Sequence, residues 1–296
     1  MLNERDMRGI FVPVVTPFLP NEELDLDSFR KYAGNLLRQN IQGLVVNGTT
    51  GESPTVSLEE VTALVQVVKI GMAEHKVRMP IILGTGTNDT ASTVKRTELA
   101  GKLGADAVLV VTPYYSRPSE EGIIEHFRRV AQVGVPVIAY EVPSRTGIRL
   151  SAAAILRIMD LNGVIGLKDS SGGTSLISEL TRHETKPVLC GDDLFFHAML
   201  SQGASGGILA SANMETDRFA DVYRLADQGD FTGAKKAFDS LYPLIEMLFR
   251  ESNPAPLKWL MARKGILSSA ALRSPMGPIT AALQQELEHV FQLRAQ

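Results

Sequence analysis

The chain contains 296 residues, of which 44% are hydrophobic and 21% are charged, and its formal net charge is −3. This composition excludes an intrinsically disordered chain and a small disulfide-stapled domain, and the weak negative charge gives no field that would attract nucleic acid. The length allows either two domains of about 150 residues each or one α/β barrel with an addition.

The compartment can be predicted from the first residues and from cysteine usage. Residues 1–6 are too charged for the apolar core of a signal peptide, and no apolar run approaches the ~18 residues of a membrane span. Cys190 is the only cysteine, so no internal disulfide can form, which favours a reducing compartment. We therefore expect a soluble, cytoplasmic protein with neither a membrane partner nor a nucleic-acid partner.

Short apolar runs rich in β-branched residues recur along the chain, and each ends in a polar, Gly-rich or Pro-rich turn. The runs are continuous rather than alternating, as expected of parallel strands that are buried on both faces. The segments between them have apolar residues at helical spacing and begin after Ser or Thr. The predicted strands are residues 10–15, 43–46, 81–83, 107–111, 135–139, 164–167, 187–189 and 207–209, and the clearest helical segments are residues 58–73, 92–103, 120–133 and 151–161.

Eight strand–helix units in sequence predict an α/β fold, a (β/α)8 TIM barrel, over residues 1–226. The structural alternative is a doubly wound open sheet, but such a sheet gathers its ligand loops at one switch point. Here nearly every predicted strand ends in a turn with reactive side chains, and a closed barrel brings all these ends to one face. Further helical segments at residues 234–249, 256–264 and 279–293 predict a C-terminal helical extension over residues 227–296, packed on the barrel or at a subunit contact.

Lys168 stands at the end of a predicted buried strand, directly after residues 164–167. Loss of hydration there would disfavour the ammonium form and lower the pKa of the lysine. A neutral amine is the nucleophile that a Schiff-base reaction requires. The alternative is a structural ion pair with Asp169 or with a carboxylate of a neighbouring loop, and Lys168 alone does not separate the two interpretations.

Other strand-end turns carry groups that suit proton transfer and anion binding. Tyr140 ends the fifth strand, and Tyr114 and Tyr115 follow the fourth, with one of these two expected to pack at the barrel rim. A tyrosine hydroxyl held by Thr49 or Thr50 can relay protons, although packing at the barrel rim is the alternative role. Arg145 could hold a carboxylate through its planar guanidinium, or it could lie solvated on its loop.

The remaining titratable residues favour structural roles. Glu52 is predicted to complement the dipole of the helix that follows it. Asp192 and Asp193 could bind a cation, yet an aspartate between a strand and a helix is more often an N-cap. The five histidines are scattered along the chain, so we expect no metal site.

Taken in order, these turns resemble the dihydrodipicolinate synthase and N-acetylneuraminate lyase group, a family of pyruvate-dependent class I aldolases with a TIM barrel fold. The likeness extends over nearly the whole chain, and the loop at residues 142–147 is similar to that of the dihydrodipicolinate synthases rather than the sialic acid lyases. The segments that carry it are residues 12–18 (VPVVTPF), 48–53 (GTTGES), 112–115 (TPYY), 140–147 (YEVPSRTG), 166–169 (GLKD), 191–193 (GDD) and 253–258 (NPAPLK).

The resemblance implies roles for the catalytic residues. Lys168 would form an imine with pyruvate, and Tyr140 would donate and accept protons. Thr49 and Tyr115 would complete the proton relay, with the second tyrosine supplied by a neighbouring subunit. A dimer would then be the minimal active unit, and a homotetramer, a dimer of dimers, is the expected assembly.

The resemblance also implies how the substrates are held. Thr50 and the backbone at Ile208 would hold pyruvate, and Arg145 would bind the carboxylate of L-aspartate-4-semialdehyde. The expected product is 4-hydroxy-tetrahydrodipicolinate, an intermediate of lysine and diaminopimelate biosynthesis. The reaction is expected to need no metal and no organic cofactor, because the protonated imine withdraws electrons from the reacting carbon.

Two departures from the family pattern leave alternatives open, namely Glu141 and residues 169–171 (DSS), where Glu-Ala-Thr is common in the family. Glu141 stands where the synthases usually carry Asn. This departure favours an alternative function, an aldolase or dehydratase for another 2-oxo acid, in which Glu141 would reshape the second-substrate pocket. A barrel kept only for ligand binding or regulation is the third hypothesis. At the positions that bind lysine in inhibited members, this chain has Leu58, Val61 and Ser92. We therefore expect weak or absent inhibition by lysine.

Overall fold

The computed structural model describes residues 1–291, and within them eight parallel strands close into a barrel in sequence order. The first strand pairs with both the second and the eighth. The predicted TIM barrel is confirmed, and the doubly wound open sheet is excluded. The strands are β1 (Gly9–Pro13), β2 (Gly43–Val46), β3 (Ile81–Gly84), β4 (Ala107–Val111), β5 (Val137–Glu141), β6 (Val164–Asp169), β7 (Val188–Cys190) and β8 (Gly206–Ile208).

Helices follow the strands, and several begin at residues whose side chains cap them. The hydroxyl of Ser57 accepts a hydrogen bond from the backbone N–H of Glu60, whose carboxylate accepts one from the N–H of Ser57. Asp89 and Ser119 cap the next two barrel helices with their own side-chain oxygens. The helices of the barrel are α1 (Leu26–Leu36), α2 (Leu58–His75), α3 (Thr90–Lys102), α4 (Glu120–Ala131), α5 (Pro143–Thr146), α6 (Ala152–Met159), α7 (Ser175–Leu180), α8 (Phe196–Ser201) and α9 (Thr216–Asp227).

The C-terminal helices that the sequence predicts are present as α10 (Phe231–Asp239), α11 (Tyr242–Leu248), α12 (Ala255–Arg263) and α13 (Ala281–Val290). The single helix predicted at residues 234–249 is wrong, because Pro243 lacks a backbone N–H and starts a new helix instead of continuing the old one. The last two residues of the stretch predicted at 279–293 lie outside the described residues. None of the helices within residues 1–291 is long and apolar enough to cross a membrane.

Alternate residues of each strand pack into two different cores. The barrel interior is filled by side chains such as Phe11, Val45 and Ile138, and Tyr140 belongs to this cluster. Neighbouring strand residues face outward into a larger layer between strands and helices. This period of two decides which strand-end side chains face the mouth of the barrel and which lie behind it.

The barrel closes at a seam between two glycines. Gly9 of β1 pairs with Gly206 of β8, and a Cβ atom on Gly206 would lie only 2.0 Å from the carbonyl oxygen of Gly9. Only glycine allows the two backbones to approach this closely. The seam brings Ile208, two residues further along β8, to the same end of the barrel as the other strand ends.

Candidate active site

A cavity of about 130 Å³ opens at the carboxyl ends of the strands. Active sites of barrel enzymes lie at this face, because the loops after all eight strands converge there. Six of the seven predicted site residues line the cavity; only Tyr115 does not. The residues that line it are Pro13, Thr49, Thr50, Tyr140, Val142, Ser144, Arg145, Lys168, Ser170, Gly191, Asp192, Ile208, Ala210, Phe249 and Asn253.

Lys168 and Tyr140 face each other inside the barrel mouth. They are register partners on β6 and β5, and the Nζ atom of Lys168 lies 4.3 Å from the centroid of the Tyr140 ring. Both residues are buried. Asp169 follows Lys168 on the strand, and its Oδ1 accepts a hydrogen bond from the backbone N–H of Ser171. Among the described residues no carboxylate lies within salt-bridge distance of Lys168, so the ion pair considered from the sequence is not formed.

Thr49 and Thr50 reach the cavity from a single helical turn, Thr49–Gly51, directly after β2. The Thr16 hydroxyl fixes this turn by donating to the carbonyl of Gly51 at 2.7 Å. The buried Thr50 hydroxyl accepts a hydrogen bond of 3.0 Å from the side-chain amide of Asn253. One side of the cavity is therefore built from the β2 turn and from the C-terminal extension together.

Arg145 lies on α5, a single helical turn that follows β5 directly. Its side chain borders the cavity, and its Nη2 lies 3.5 Å from the carbonyl oxygen of Asn253. Part of Arg145 stays exposed to solvent. A guanidinium at the rim of the cavity, with free donors, is suited to bind a carboxylate that enters from solvent.

Tyr115 lies apart from this cavity. Its residue is 88% exposed, and its φ angle is +72°, an uncommon backbone conformation for a side chain of this size. It borders a separate open groove of about 490 Å³, which shares Ser144 and Arg145 with the active-site cavity. Within one chain, Tyr115 is therefore not brought together with Lys168.

Cavity residues that the sequence analysis missed include Asn253 and Asp192. Asp192 is half-buried, and burial raises the pKa of its carboxyl group while the charges of Lys168 and Arg145 oppose the shift. The N-cap prediction holds only for position: Asp192 stands at the N-cap of the turn that follows β7, but its side chain makes no capping hydrogen bond there. Asn253 and Asp192 both belong to sequence segments that carry the family likeness, and this likeness could have indicated them as cavity residues.

The buried Asp193 holds the turn after β8 instead. Its carboxylate accepts hydrogen bonds from the backbone N–H groups of Ala210 and Ser211, at 3.2 and 2.6 Å. Burial raises its pKa to about 6, although these hydrogen bonds and the charge of Lys168 favour the ionised form. Asp193 thereby fixes the backbone that follows Ile208 at the cavity wall.

The role predicted for Glu52 is also wrong. Instead of complementing a helix dipole, its buried carboxylate accepts a hydrogen bond of 2.7 Å from the ammonium of Lys258 on α12. The backbone N–H of Arg273 donates to its second oxygen at 3.1 Å. Glu52 has a left-handed backbone conformation, with φ at +55°. It ties the loop after β2 to the C-terminal extension.

Glu141, which was expected to reshape the second-substrate pocket, does not itself line the active-site cavity. It follows Tyr140 on β5, so its side chain points to the opposite face of the strand, away from the barrel interior. Its carboxylate is buried and accepts hydrogen bonds from Thr112 Oγ1 and from the backbone N–H of Leu150, both 3.0 Å long.

In the described part of the chain, no three His, Cys, Asp or Glu side chains gather as metal ligands.

Comparisons with known proteins agree with this geometry. Residues 6–294 match the sequence profile described as the Dihydrodipicolinate synthetase family. A 4-hydroxy-tetrahydrodipicolinate synthase of Herminiimonas arsenicoxydans is 39% identical over 279 residues, covering 93% of this chain and 94% of that protein. The chloride-inhibited dihydrodipicolinate synthase of Acinetobacter baumannii, solved in complex with pyruvate, superposes with a TM-score of 0.90 at 33% identity, covering 97% of this chain and 98% of the other.

A third relative bears on assembly. A structure described as the first monomeric dihydrodipicolinate synthase variant superposes with a TM-score of 0.92 at 31% identity, covering 98% of this chain and 97% of that one. The expectations of this family and of a lyase similar to the 4-hydroxy-tetrahydrodipicolinate synthases are thus confirmed. The chain belongs to the dihydrodipicolinate synthetase family.

Proposed function

We propose that this protein is a Schiff-base aldolase that condenses pyruvate with L-aspartate-4-semialdehyde, forming 4-hydroxy-tetrahydrodipicolinate and water. The observation that carries the proposal is the position of Lys168, whose amine lies beside Tyr140 in a cavity at the mouth of the barrel. The A. baumannii relative, solved with pyruvate bound, supports the first substrate. The names of the curated relatives support the product.

In the proposed first half-reaction, the neutral amine of Lys168 attacks the C2 carbonyl of pyruvate. The carbinolamine loses water to give a protonated imine, which draws electrons from the neighbouring methyl group. Loss of a methyl proton then gives an enamine. The phenol of Tyr140 is the nearest candidate to move these protons, and Thr49, also at the cavity wall, would link it to Tyr115 of a second copy.

In the proposed second half-reaction, the enamine carbon attacks the aldehyde carbon and forms the new carbon–carbon bond. The substrate amine then displaces Lys168 by transimination, which closes the ring and regenerates the free lysine. Arg145 would hold the α-carboxylate of the aldehyde substrate through its guanidinium at the cavity rim. Thr50 and the backbone at Ile208 would hold the carboxylate of pyruvate.

The experiment that tests the first half-reaction is reductive trapping. Incubation with pyruvate and borohydride should reduce the imine and leave a stable adduct on Lys168, which peptide mass spectrometry locates. Lys168→Ala should abolish the adduct, whereas Lys236→Ala, a substitution on α10 far along the chain, should leave it unchanged. An adduct on another lysine, or none, would exclude this mechanism.

A panel of aldehydes assayed with pyruvate tests the second substrate. L-aspartate-4-semialdehyde should give the greatest kcat/KM. A much greater kcat/KM with a different aldehyde would favour the related aldolase or dehydratase that we considered from the sequence. Pyruvate binding without turnover of any aldehyde would favour a barrel kept for ligand binding. Glu141 lies behind the cavity wall, so the presence of Glu at this position no longer favours another 2-oxo acid as the substrate.

A further inference from the structure

Glu141 is a buried carboxylate that the proposed mechanism does not use. Its exposed fraction is 1%, and among the described residues no cationic side chain lies within salt-bridge distance of it. Burial raises the pKa of its carboxyl group, while the hydrogen bonds from Leu150 and Thr112 oppose the shift. A buried acid costs free energy unless its oxygens are well satisfied, so its contacts identify what it does for the fold.

The first contact closes the loop that carries Arg145. The loop leaves β5 directly after Glu141, and its far end returns to Leu150, whose backbone N–H donates to Glu141 Oε1 at 3.0 Å. Leu150 is itself buried, so without this acceptor its N–H would be unsatisfied. Both ends of the segment 142–149 are thus attached to Glu141. The upstream end is joined to it by the peptide bond, and the downstream end is held by the hydrogen bond from Leu150 to its carboxylate.

The second contact extends to the neighbouring loop. Thr112 Oγ1 donates to Glu141 Oε2 at 3.0 Å, and Thr112 is the first residue after β4, at the start of the loop that carries Tyr115. The two loops border one groove, to which Arg145 and Tyr115 both contribute. One carboxylate therefore anchors both loops from behind the barrel wall.

The carboxyl group of Glu141 suits these two contacts because each contact uses a different oxygen. Asparagine, the residue that the family resemblance implies at this position, is shorter and has a single acceptor oxygen. Inside the loop, Thr146 Oγ1 donates to the carbonyl of Ile148 at 3.0 Å, and Gly147 has a φ of +74° that ends the helical turn. These internal bonds shape the turn, and Arg149 Nη2 ties the segment to the carbonyl of Ser171 at 2.8 Å, while Glu141 attaches the returning backbone to β5.

We propose that Glu141 is a positioning residue for the second-substrate site, and that its two hydrogen bonds set where the Arg145 guanidinium stands at the rim of the cavity. The inference rests on the proposed function, because it assigns Arg145 to the carboxylate of the aldehyde substrate. Glu141 itself touches no substrate. Its loss should weaken binding of a carboxylate-bearing aldehyde and leave imine formation with pyruvate unchanged.

The test compares Glu141→Leu, which removes both acceptors and leaves an apolar side chain, with Glu141→Gln. Glutamine can still accept from Leu150, and the Thr112 hydroxyl can turn to accept from its amide, so this variant should rescue the loop. We expect Glu141→Leu to raise KM for L-aspartate-4-semialdehyde about tenfold, the effect of losing one well-placed hydrogen bond, and Glu141→Gln to raise it by less than about threefold. The rate of borohydride trapping with pyruvate should be the same in all three proteins.

A double-mutant cycle separates positioning of Arg145 from general damage. In an Arg145→Ala background, Glu141→Leu should raise KM for the aldehyde no further, because the group that it positions is already gone. Additive effects in the cycle would overturn the inference. So would an unchanged KM in Glu141→Leu when the wild-type protein turns over the substrate.

Proteolysis gives a readout that does not depend on the substrate. Trypsin cleaves after Arg145 and Arg149, and a loop released from Leu150 should be cut faster in native Glu141→Leu than in wild type or Glu141→Gln. Equal cleavage rates in the three proteins would overturn the inference even if no aldehyde is turned over. Faster cleavage in a protein that fails to use L-aspartate-4-semialdehyde would retain the positioning role and reject only the proposed substrate.

Discussion

Lys258 and Glu52 form an ion pair in the interior of the protein, 206 residues apart in the chain. Lys258 Nζ lies 2.7 Å from Glu52 Oε1 and also donates to the carbonyl of Thr16 at 2.9 Å. The exposed fractions of the two side chains are 0% and 1%. Burial lowers the pKa of Lys258, and the charge of Glu52 opposes this shift. The pair joins α12 to the loops after β1 and β2, next to the cavity.

We expect the loss of either partner to destabilise the fold strongly, because the other charge would remain buried and unpaired. Lys258→Met or Glu52→Gln should each lower the free energy of unfolding by about 3–5 kcal/mol, measured by urea denaturation. The double variant should lose much less than the sum of the two. Lys235→Met breaks an exposed pair with Asp239 and should cost at most about 0.5 kcal/mol. Additive losses in the double variant would contradict the interpretation.

His126 predicts acid sensitivity of the fold. Its ring is buried, Nδ1 shares a hydrogen bond of 3.0 Å with Thr90 Oγ1, and Nε2 has no hydrogen-bond partner within residues 1–291. Burial lowers the pKa of His126 to about 4, from a reference value of 6.5. Between pH 6.5 and pH 4 the unfolded chain therefore binds a proton that the folded chain does not, so the free energy of unfolding should fall by about 3 kcal/mol over this range.

Denaturation at a series of pH values checks this prediction. His126→Phe cannot take up the proton, so its free energy of unfolding should depend less steeply on pH between 6.5 and 4 than that of wild type. His183→Phe replaces an exposed histidine and should leave the slope unchanged. If the free energy of unfolding depends on pH equally in all three proteins, His126 binds its proton as readily in the folded state as in the unfolded chain.

The exposed Tyr115 predicts complementation between inactive variants. If Tyr115 completes the site of a second copy, Lys168→Ala and Tyr115→Phe are each defective alone, yet a mixed dimer contains one intact site. Random exchange of subunits should restore about one quarter of the wild-type sites, measured as turnover after mixing. No gain on mixing, or full activity in a sample shown to be monomeric, would exclude a shared site.

Inhibition by lysine should be weak or absent. Val61 is buried, and Glu60 is already held by a two-pronged pair with Arg273, so it is not available to bind an ammonium group. Leu58, the first residue of α2, is exposed and presents an apolar side chain. An inhibition curve with millimolar lysine checks this prediction. Strong, saturable inhibition would show that an acidic group other than Glu60 binds the ammonium group of lysine.

The barrel could be predicted because its strands are continuous apolar runs with regular spacing. Strand ends were less accurate: the fifth strand was expected at residues 135–139, but β5 extends to Glu141. The position of Lys168 and Tyr140 at the barrel mouth could be predicted because a strand end places its side chain there. The position of Glu141 could have been predicted as well, since alternate residues face opposite sides of a strand and Tyr140 already faced inward.

Contacts between distant parts of the chain could not be predicted in the same way. The partner of Glu52 lies 206 residues further on, and a buried ion pair leaves no local periodicity in the sequence. Asn253, which binds Thr50 from 203 residues away, is missed for the same reason. Short-range rules interpreted both acidic turns, at Glu52 and at Asp193, as features of the nearest helix. Tertiary contacts use these carboxylates instead.

The seam between β1 and β8 has a consequence for how the protein is made. During synthesis on the ribosome, Gly9 cannot pair with Gly206 until β8 has been made. The loop after β2 makes its contacts with Asn253 and Lys258 later still. Until then β1 has an open edge, which other chains can pair with. The cavity around Lys168 thus acquires its final lining only after Asn253 has been synthesised and the barrel has closed.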